Sequence, residues 1–114
     1  MLPRKRRLSA AEVREVLARG RGVRSGVVSL KYVEKQGFFR AAVVAPKSVA
    51  RHATERNRLR RALYNTLATL PPEETQNLKN TIAVFFIRNI PSPLTPTLRA
   101  DITSIIKKLH TSHV

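Results

Sequence analysis

Residues 38–70 read FFRAAVVAPKSVARHATERNRLRRALYNTLATL, and their order sets what must surround them. The stretch opens on FFRAAVVA, eight residues of strand character closed by Pro46, a residue suited to a strand end rather than a centre. It finishes as a helix. Leu59, Ala62, Leu63, Thr66, Leu67 and Leu70 recur at helical spacing on one face, Thr54 stands where it can cap the start, and Pro71 and Pro72 stop the helix after about Leu70. Between strand and helix lies a basic loop, Lys47 to Ala53, without glycine. Further on, TIAVFFIR (Thr81 to Arg88) is a continuous apolar run of strand length, which predicts an interior strand with both faces covered. Strand, helix and strand together form a β-α-β unit.

Upstream, VRSGVVSLKYVE (Val23 to Glu34) alternates, with Val28, Leu30 and Tyr32 on one side and Val27, Ser29, Lys31 and Val33 on the other, as a half-buried strand does. Lys35 to Gly37 turns the chain toward FFRAAVVA, predicting a hairpin between the two strands. Before them, Ser9 and Glu12 form an S-x-x-E capping box, Leu8 and Val13 a hydrophobic staple, and Val13, Val16 and Leu17 the apolar stripe of a first helix that Gly20 terminates. Downstream, PPEETQNLKN is a polar connection and NIPSPLTPT a proline-rich loop. Leu98, Ile102, Ile105, Ile106 and Leu109 then mark a last helix lying back on the sheet. The order α-β-β-α-β-α predicts an α/β (α+β) two-layer sandwich in one domain, residues 1–114, with 1–7 a basic arm and 111–114 a frayed end.

The helix that begins this β-α-β crossover carries the functional signal. RNRLRR (Arg56 to Arg61) places four arginines in six residues, with Glu55 the only nearby acid. Asn57 and Arg61 point away from the leucine stripe and Arg58 and Arg60 flank it, so the guanidiniums form a comb. Cations early in a helix oppose its macrodipole by roughly 0.3 to 1 kcal/mol each and repel one another, costs that an anionic partner relieves. Arginine's planar fork matches phosphate. The whole chain agrees: 22 Lys and Arg against 7 Asp and Glu give +15 in 114 residues. Residues 1–24 and 40–61 carry +12 of this, leaving the C-terminal half nearly neutral, which fits a basic surface on a folded body and a nucleic-acid partner.

Other classes are excluded. The chain has no cysteine, so disulfides, thiolate metal sites and cysteine nucleophiles are ruled out and a cytoplasmic location is the simplest expectation. The longest apolar run is far short of the roughly 20 residues of a membrane span, and MLPRKRRL is not followed by a signal peptide's apolar region, so no membrane partner is expected. His52, His110 and His113 are scattered, and the acids show no pairing of a two-metal site, so no protein-borne catalytic residues are expected. A major-groove DNA reader would need a second helix packed ahead of the arginine helix, where strands stand instead, and DNA is not expected.

A capped first helix, strands, and then APKSVARHATERNRLRR leading into a helix resemble the protein component of bacterial ribonuclease P, whose hallmark is a VSKKV-type loop followed by RNR and further basic residues. The specific part is the spacing from Lys47 through Val49 and Ala53 to Arg56, Asn57 and Arg58, and the likeness runs from Leu8 to about Leu109. The resemblance implies an accessory subunit of an RNA-based endoribonuclease. In that family the catalytic RNA, with Mg2+ held mainly by the RNA and none by the protein alone, removes the 5′ leader of precursor tRNA. It also implies a ribosomal-protein-like sandwich with a left-handed β-α-β crossover.

Carried over by position, Lys47, Arg51, Arg56, Asn57, Arg58, Arg60 and Arg61 would contact the catalytic RNA, with Asn57 open to a local hydrogen bond near the helix start instead. A cleft between the first helix and the sheet would receive the leader, at Val13, Leu17, Ser29 and Lys31. Val13 and Leu17 stand where the family often has aromatics, and Lys31 where it has a strand tyrosine; ordinary core packing is the alternative for the two aliphatics. Pro46 and Ser48 also depart from the loop's usual serine and second lysine. The competing functional reading is a structural or ribosome-associated RNA-binding protein without a processing role.

Overall fold

A computed structural model describes residues 7–37, 39–76 and 78–112; the N-terminal arm up to residue 6, Phe38, Asn77 and the last two residues lie outside them. The described elements are α1 (Ala10–Arg19), β1 (Arg21–Ser25), β2 (Val28–Glu34), β3 (Arg40–Val44), α2 (Ala53–Ala68), α3 (Pro72–Gln76), β4 (Thr81–Ile87) and α4 (Leu94–Ser112). The strands form one sheet in the order β1-β2-β4-β3, with β3 and β4 parallel across α2 and the other neighbours antiparallel.

The first helix starts as its sequence predicts. Ser9 Oγ accepts from the Glu12 N–H and Glu12 Oε1 accepts from the Ser9 N–H, closing the capping box. Gly20 ends α1 for a reason other than a left-handed turn. Its φ is −71°, but a Cβ there would run into the Val16 carbonyl and lie 3.1 Å from Lys31 Cβ, so glycine lets the end of α1 settle on β2.

Two strand expectations are corrected. The single alternating strand over 23–34 is itself a hairpin, turning at Gly26 (φ +58°) and Val27 with Ser25 opposite Val28. A Ser-Gly pair inside a run of valines carries this turn, and the unbroken alternation hides it. The predicted hairpin between β2 and β3 does not form, because β4 lies between them. Its apolar residues demand partners on both edges as well as cover on both faces. Asn80 makes the insertion feasible: at φ 61° it accepts from the Lys35 N–H (2.9 Å), donates to the Gly37 carbonyl (3.0 Å) and offers Oδ1 to the Gly37 N–H (3.0 Å). The 35–37 turn thus straddles the start of β4.

Three helix boundaries also shift. The N-cap of α2 is His52 with no side-chain bond, so Thr54 lies inside the first turn instead of capping it. Pro72 starts the single-turn α3 within the segment expected to be an irregular connection, and α4 begins at Leu94, four residues before the expected stripe. Prolines fit both starts because the first helical turn leaves its N–H groups without intrahelical partners. At its far end α4 continues through residues 111 and 112, expected to be frayed.

The sheet's two faces are unequal. One carries Val28, Leu30, Tyr32, Ala41, Val43, Phe85 and Ile87 against Leu59, Leu63 and Leu67 of α2 and Leu98, Ile102, Ile105 and Ile106 of α4. The other carries Ile82 and Val84 against Val16 of α1, with Leu8 and Val13 packed beside them. Asp101 of α4 clamps the β1–β2 turn by accepting from the Val27 N–H at 2.9 Å, and a Cβ on Gly26 would collide with its carboxylate.

Candidate nucleic-acid interface

The loop ahead of α2 is held by its apolar residues. The Val49 and Ala50 N–H groups both donate to the Pro46 carbonyl, making one helical turn, and Ala50 is fully buried while Lys47, Ser48 and Arg51 are exposed. Pro46, read in the sequence as a departure from the family loop, is the acceptor that sets this turn.

The structure divides the arginine comb. Arg56 faces back into the protein, its Nη1 donating to the Ala50 carbonyl (3.1 Å) and the Arg51 carbonyl (3.0 Å), so it fastens the loop to the helix. Arg60 donates to Asn57 Oδ1, a side-chain contact rather than the backbone bond weighed for Asn57 from the sequence. Arg58 and Arg61 are exposed and have no hydrogen-bond or ion-pair partner among the described residues. The outward cations of this face are therefore Lys47, Arg51, Arg58 and Arg61, with Arg60 at their edge. Tyr64, on the same helix, reaches the sheet and accepts from the Val43 N–H at 3.2 Å, fixing α2 against β3.

A second concave region lies on the opposite face of the sheet, between the end of α1 and strands β1, β2 and β4. Three of the four cleft residues read from the sequence line it: Leu17 (40% exposed), Ser29 and Lys31, whose Nζ donates to the Leu17 carbonyl at 3.3 Å. Val13 does not; it packs half-buried in the small core with Val16, Ile82 and Val84, so the packing alternative holds for it. The cleft has a floor that sequence reading missed. Phe86, opposite Ser29 in the register, lies under the Arg88 guanidinium, whose carbon is 5.3 Å from the ring centroid, and Arg88 Nε donates to Ser29 Oγ at 2.8 Å. Arg24 joins them at the rim. The missed signal is the period of two in FFIR: Phe85 faces the main core, so Phe86 and Arg88 share the other face. Tyr32 and Phe39 are buried, Phe39 packing edge-on to Phe85.

Along α1, Glu12 binds Arg40 and Lys35, and Glu15 binds Lys35 and Arg19. Partial burial pushes the Glu12 carboxyl up, but the Ser9 N–H, Arg40 and Lys35 together outweigh it and hold the group below the usual carboxylate range. Among the described residues no three His, Asp or Glu side chains gather as a metal-binding group, and no helix is long and apolar enough to cross a membrane.

A family model described as Ribonuclease P matches residues 2–110. Two solved structures are similar over nearly the whole chain. The Staphylococcus aureus RNase P protein shares 14% identity at a TM-score of 0.69, with 90% of this chain and 94% of that chain covered. A mutant of the S. aureus RNase P protein with defective mRNA degradation activity shares 14% at a TM-score of 0.74, with 91% and 87% covered. No curated protein matches the chain in sequence.

Proposed function

We propose that this chain, which belongs to the ribonuclease P protein family, works as the protein subunit of a bacterial ribonuclease P by docking on the catalytic RNA and holding the 5′ leader of precursor tRNA. The observation that carries the reading is the outward set Lys47, Arg51, Arg58 and Arg61 on one loop-and-helix surface, with Arg58 and Arg61 unpaired among the described residues. Guanidinium and ammonium groups so placed neutralise phosphates and release counterions, which supplies affinity without reading sequence. Arg56 contributes by holding the loop in position, and Asn57 by orienting Arg60.

The leader's place is the cleft at Leu17, Ser29 and Lys31, completed by Phe86, Arg88 and Arg24. There the chain replaces the missing helix aromatics with a strand aromatic topped by a guanidinium, a plane on which an unpaired base stacks. Lys31 and Arg24 flank it as phosphate partners. Magnesium, held by the RNA, supplies charge neutralisation and an activated water when bound; among the described residues no three acidic or histidine side chains gather to hold it, and Glu12, Glu15 and Asp101 are each committed to internal partners. Protein residues bind and orient, and bond cleavage belongs to the RNA.

The test is cleavage of precursor tRNA by the same organism's ribonuclease P RNA at low magnesium, with and without the chain, beside a protein-only control. Correct 5′ maturation only from the combination supports the reading. RNA binding without rescue would replace it with a structural RNA-binding role, and cleavage by protein alone would demand a catalytic site in the chain.

A further inference from the structure

On the side of α2 that faces away from the leader cleft, the helix runs beside the first turns of α4, and the two leave an open groove of about 530 Å³ between them. Arg58 and Arg61 line it from α2, Arg99 from α4, and Thr54, Thr69 and Thr95 add hydroxyls; no carboxylate lines it. Arg99 is fixed at the rim: its Nη2 donates to Thr69 Oγ1 at 2.9 Å, while that hydroxyl turns its own proton toward the Asn65 or Thr66 carbonyl. A threonine oxygen thus spends its lone pair on holding a guanidinium over a groove that already contains two others. Among the described residues no carboxylate forms an ion pair with any of the three.

We propose that this groove takes a phosphodiester strand of RNA, so that Arg99 of α4 belongs to the RNA-binding surface together with Arg58 and Arg61. The inference rests on the reading of α2 as an RNA-docking helix, with which the groove is continuous. From Thr54 to Thr69 it follows α2 for about 22 Å at 1.5 Å per residue, enough for several consecutive phosphates and too long for a single free anion. The three guanidiniums supply forked donors for phosphate oxygens, and the threonines can donate to phosphate or accept from a ribose 2′-hydroxyl, a pairing that suits RNA.

The experiment measures binding of the same organism's ribonuclease P RNA across a salt series for the wild type, Arg58→Ala, Arg99→Ala and Lys79→Ala, the last removing an exposed cation outside the groove. Thermal unfolding of each variant verifies the fold. Loss of one phosphate contact lowers the slope of log K against log salt by about 0.7 to 0.9 and weakens binding about five-fold at 0.15 M salt. Arg99→Ala is expected to show this, and Lys79→Ala is not. Because the chain contains no cysteine, Thr95→Cys also provides a unique attachment point for a photo-crosslinker, which is expected to capture a defined RNA segment. Failure of either result overturns the groove. If Arg58→Ala weakens binding while Arg99→Ala matches Lys79→Ala, the groove fails and the subunit reading stands. If the wild type binds this RNA no better than an unrelated RNA of equal length, the subunit reading fails as well.

Discussion

Replacing Arg56 and Arg58 separately by alanine distinguishes an arginine that builds the surface from one that uses it. Arg56 Nη1 serves two carbonyls, of Ala50 and Arg51, and the first belongs to a fully buried residue at the root of the loop. A hydrogen bond from a charged donor contributes about 1.5 to 3 kcal/mol, but Arg56 is only half-buried, so water recovers part of the loss. Arg56→Ala is therefore expected to cost about 1 to 2 kcal/mol, lowering the melting temperature of a domain this size by roughly 4 to 10 °C. Arg58 makes no internal bond among the described residues, and removing it relieves like-charge repulsion and improves helix propensity, so Arg58→Ala should be neutral or stabilising by a few tenths of a kcal/mol. Urea unfolding gives both values, and RNA binding at fixed salt gives the complementary pair. Equal stability of the two variants within about 0.5 kcal/mol would refute the assignment of Arg56 as the loop's fastener.

Asp101→Ala strips the Val27 N–H of its acceptor and loosens the β1–β2 turn; a loss of about 1 to 2 kcal/mol in urea unfolding is expected, whereas Asp101→Asn, which keeps an acceptor oxygen, should recover part of it. Glu12 has a lowered folded-state pKa, so its contribution is complete above the ordinary carboxylate pKa and fades as pH falls through the lowered value; thermal melts from pH 6 to pH 2 should show an acid-side loss that Glu12→Gln diminishes. Phe86→Leu preserves apolar volume and should cost less than about 1.5 kcal/mol of stability, yet weaken precursor-tRNA binding relative to mature tRNA by about 1 to 3 kcal/mol, measured by competition with the reconstituted ribonucleoprotein.

Local chemistry in this chain was legible where a residue acts on its own neighbours. Ser9 and Glu12 announce α1 because a capping box is complete within four residues, and the leucine stripe announces α2 because helical period is local. The strand pairing was not, because it is decided between segments far apart. Nothing near residues 35–37 says that Asn80 will fill their turn, and only the apolar excess of β4 hints that it needs an edge on each side. The arginine run shows the same limit. Its composition points to phosphate, but which arginine turns inward depends on the Ala50 and Arg51 carbonyls, which the loop places only once Ala50 is buried. Phe86 was hidden by its own setting, an apolar residue in an apolar strand.

The sheet gives these parts a relation that neither has alone. The surface of α2 and its loop lies on one face, packed through Leu59, Leu63 and Leu67, whereas the Phe86 cleft opens on the face covered by α1. Four strands of backbone hydrogen bonds separate them, and no described side chain belongs to both. Under the proposed function, a protein so arranged would hold one RNA on each side at a fixed separation, and the bound leader would take its position from the docked RNA through a rigid spacer. Sites without shared partners contribute independently, so the double variant Arg61→Ala, Phe86→Leu should weaken precursor-tRNA binding to the ribonucleoprotein by the sum of the single effects, within about 0.5 kcal/mol. A coupling larger than about 1 kcal/mol would mean that the two RNA segments touch one another or that docking reshapes the cleft, and the sheet would then be a hinge rather than a spacer.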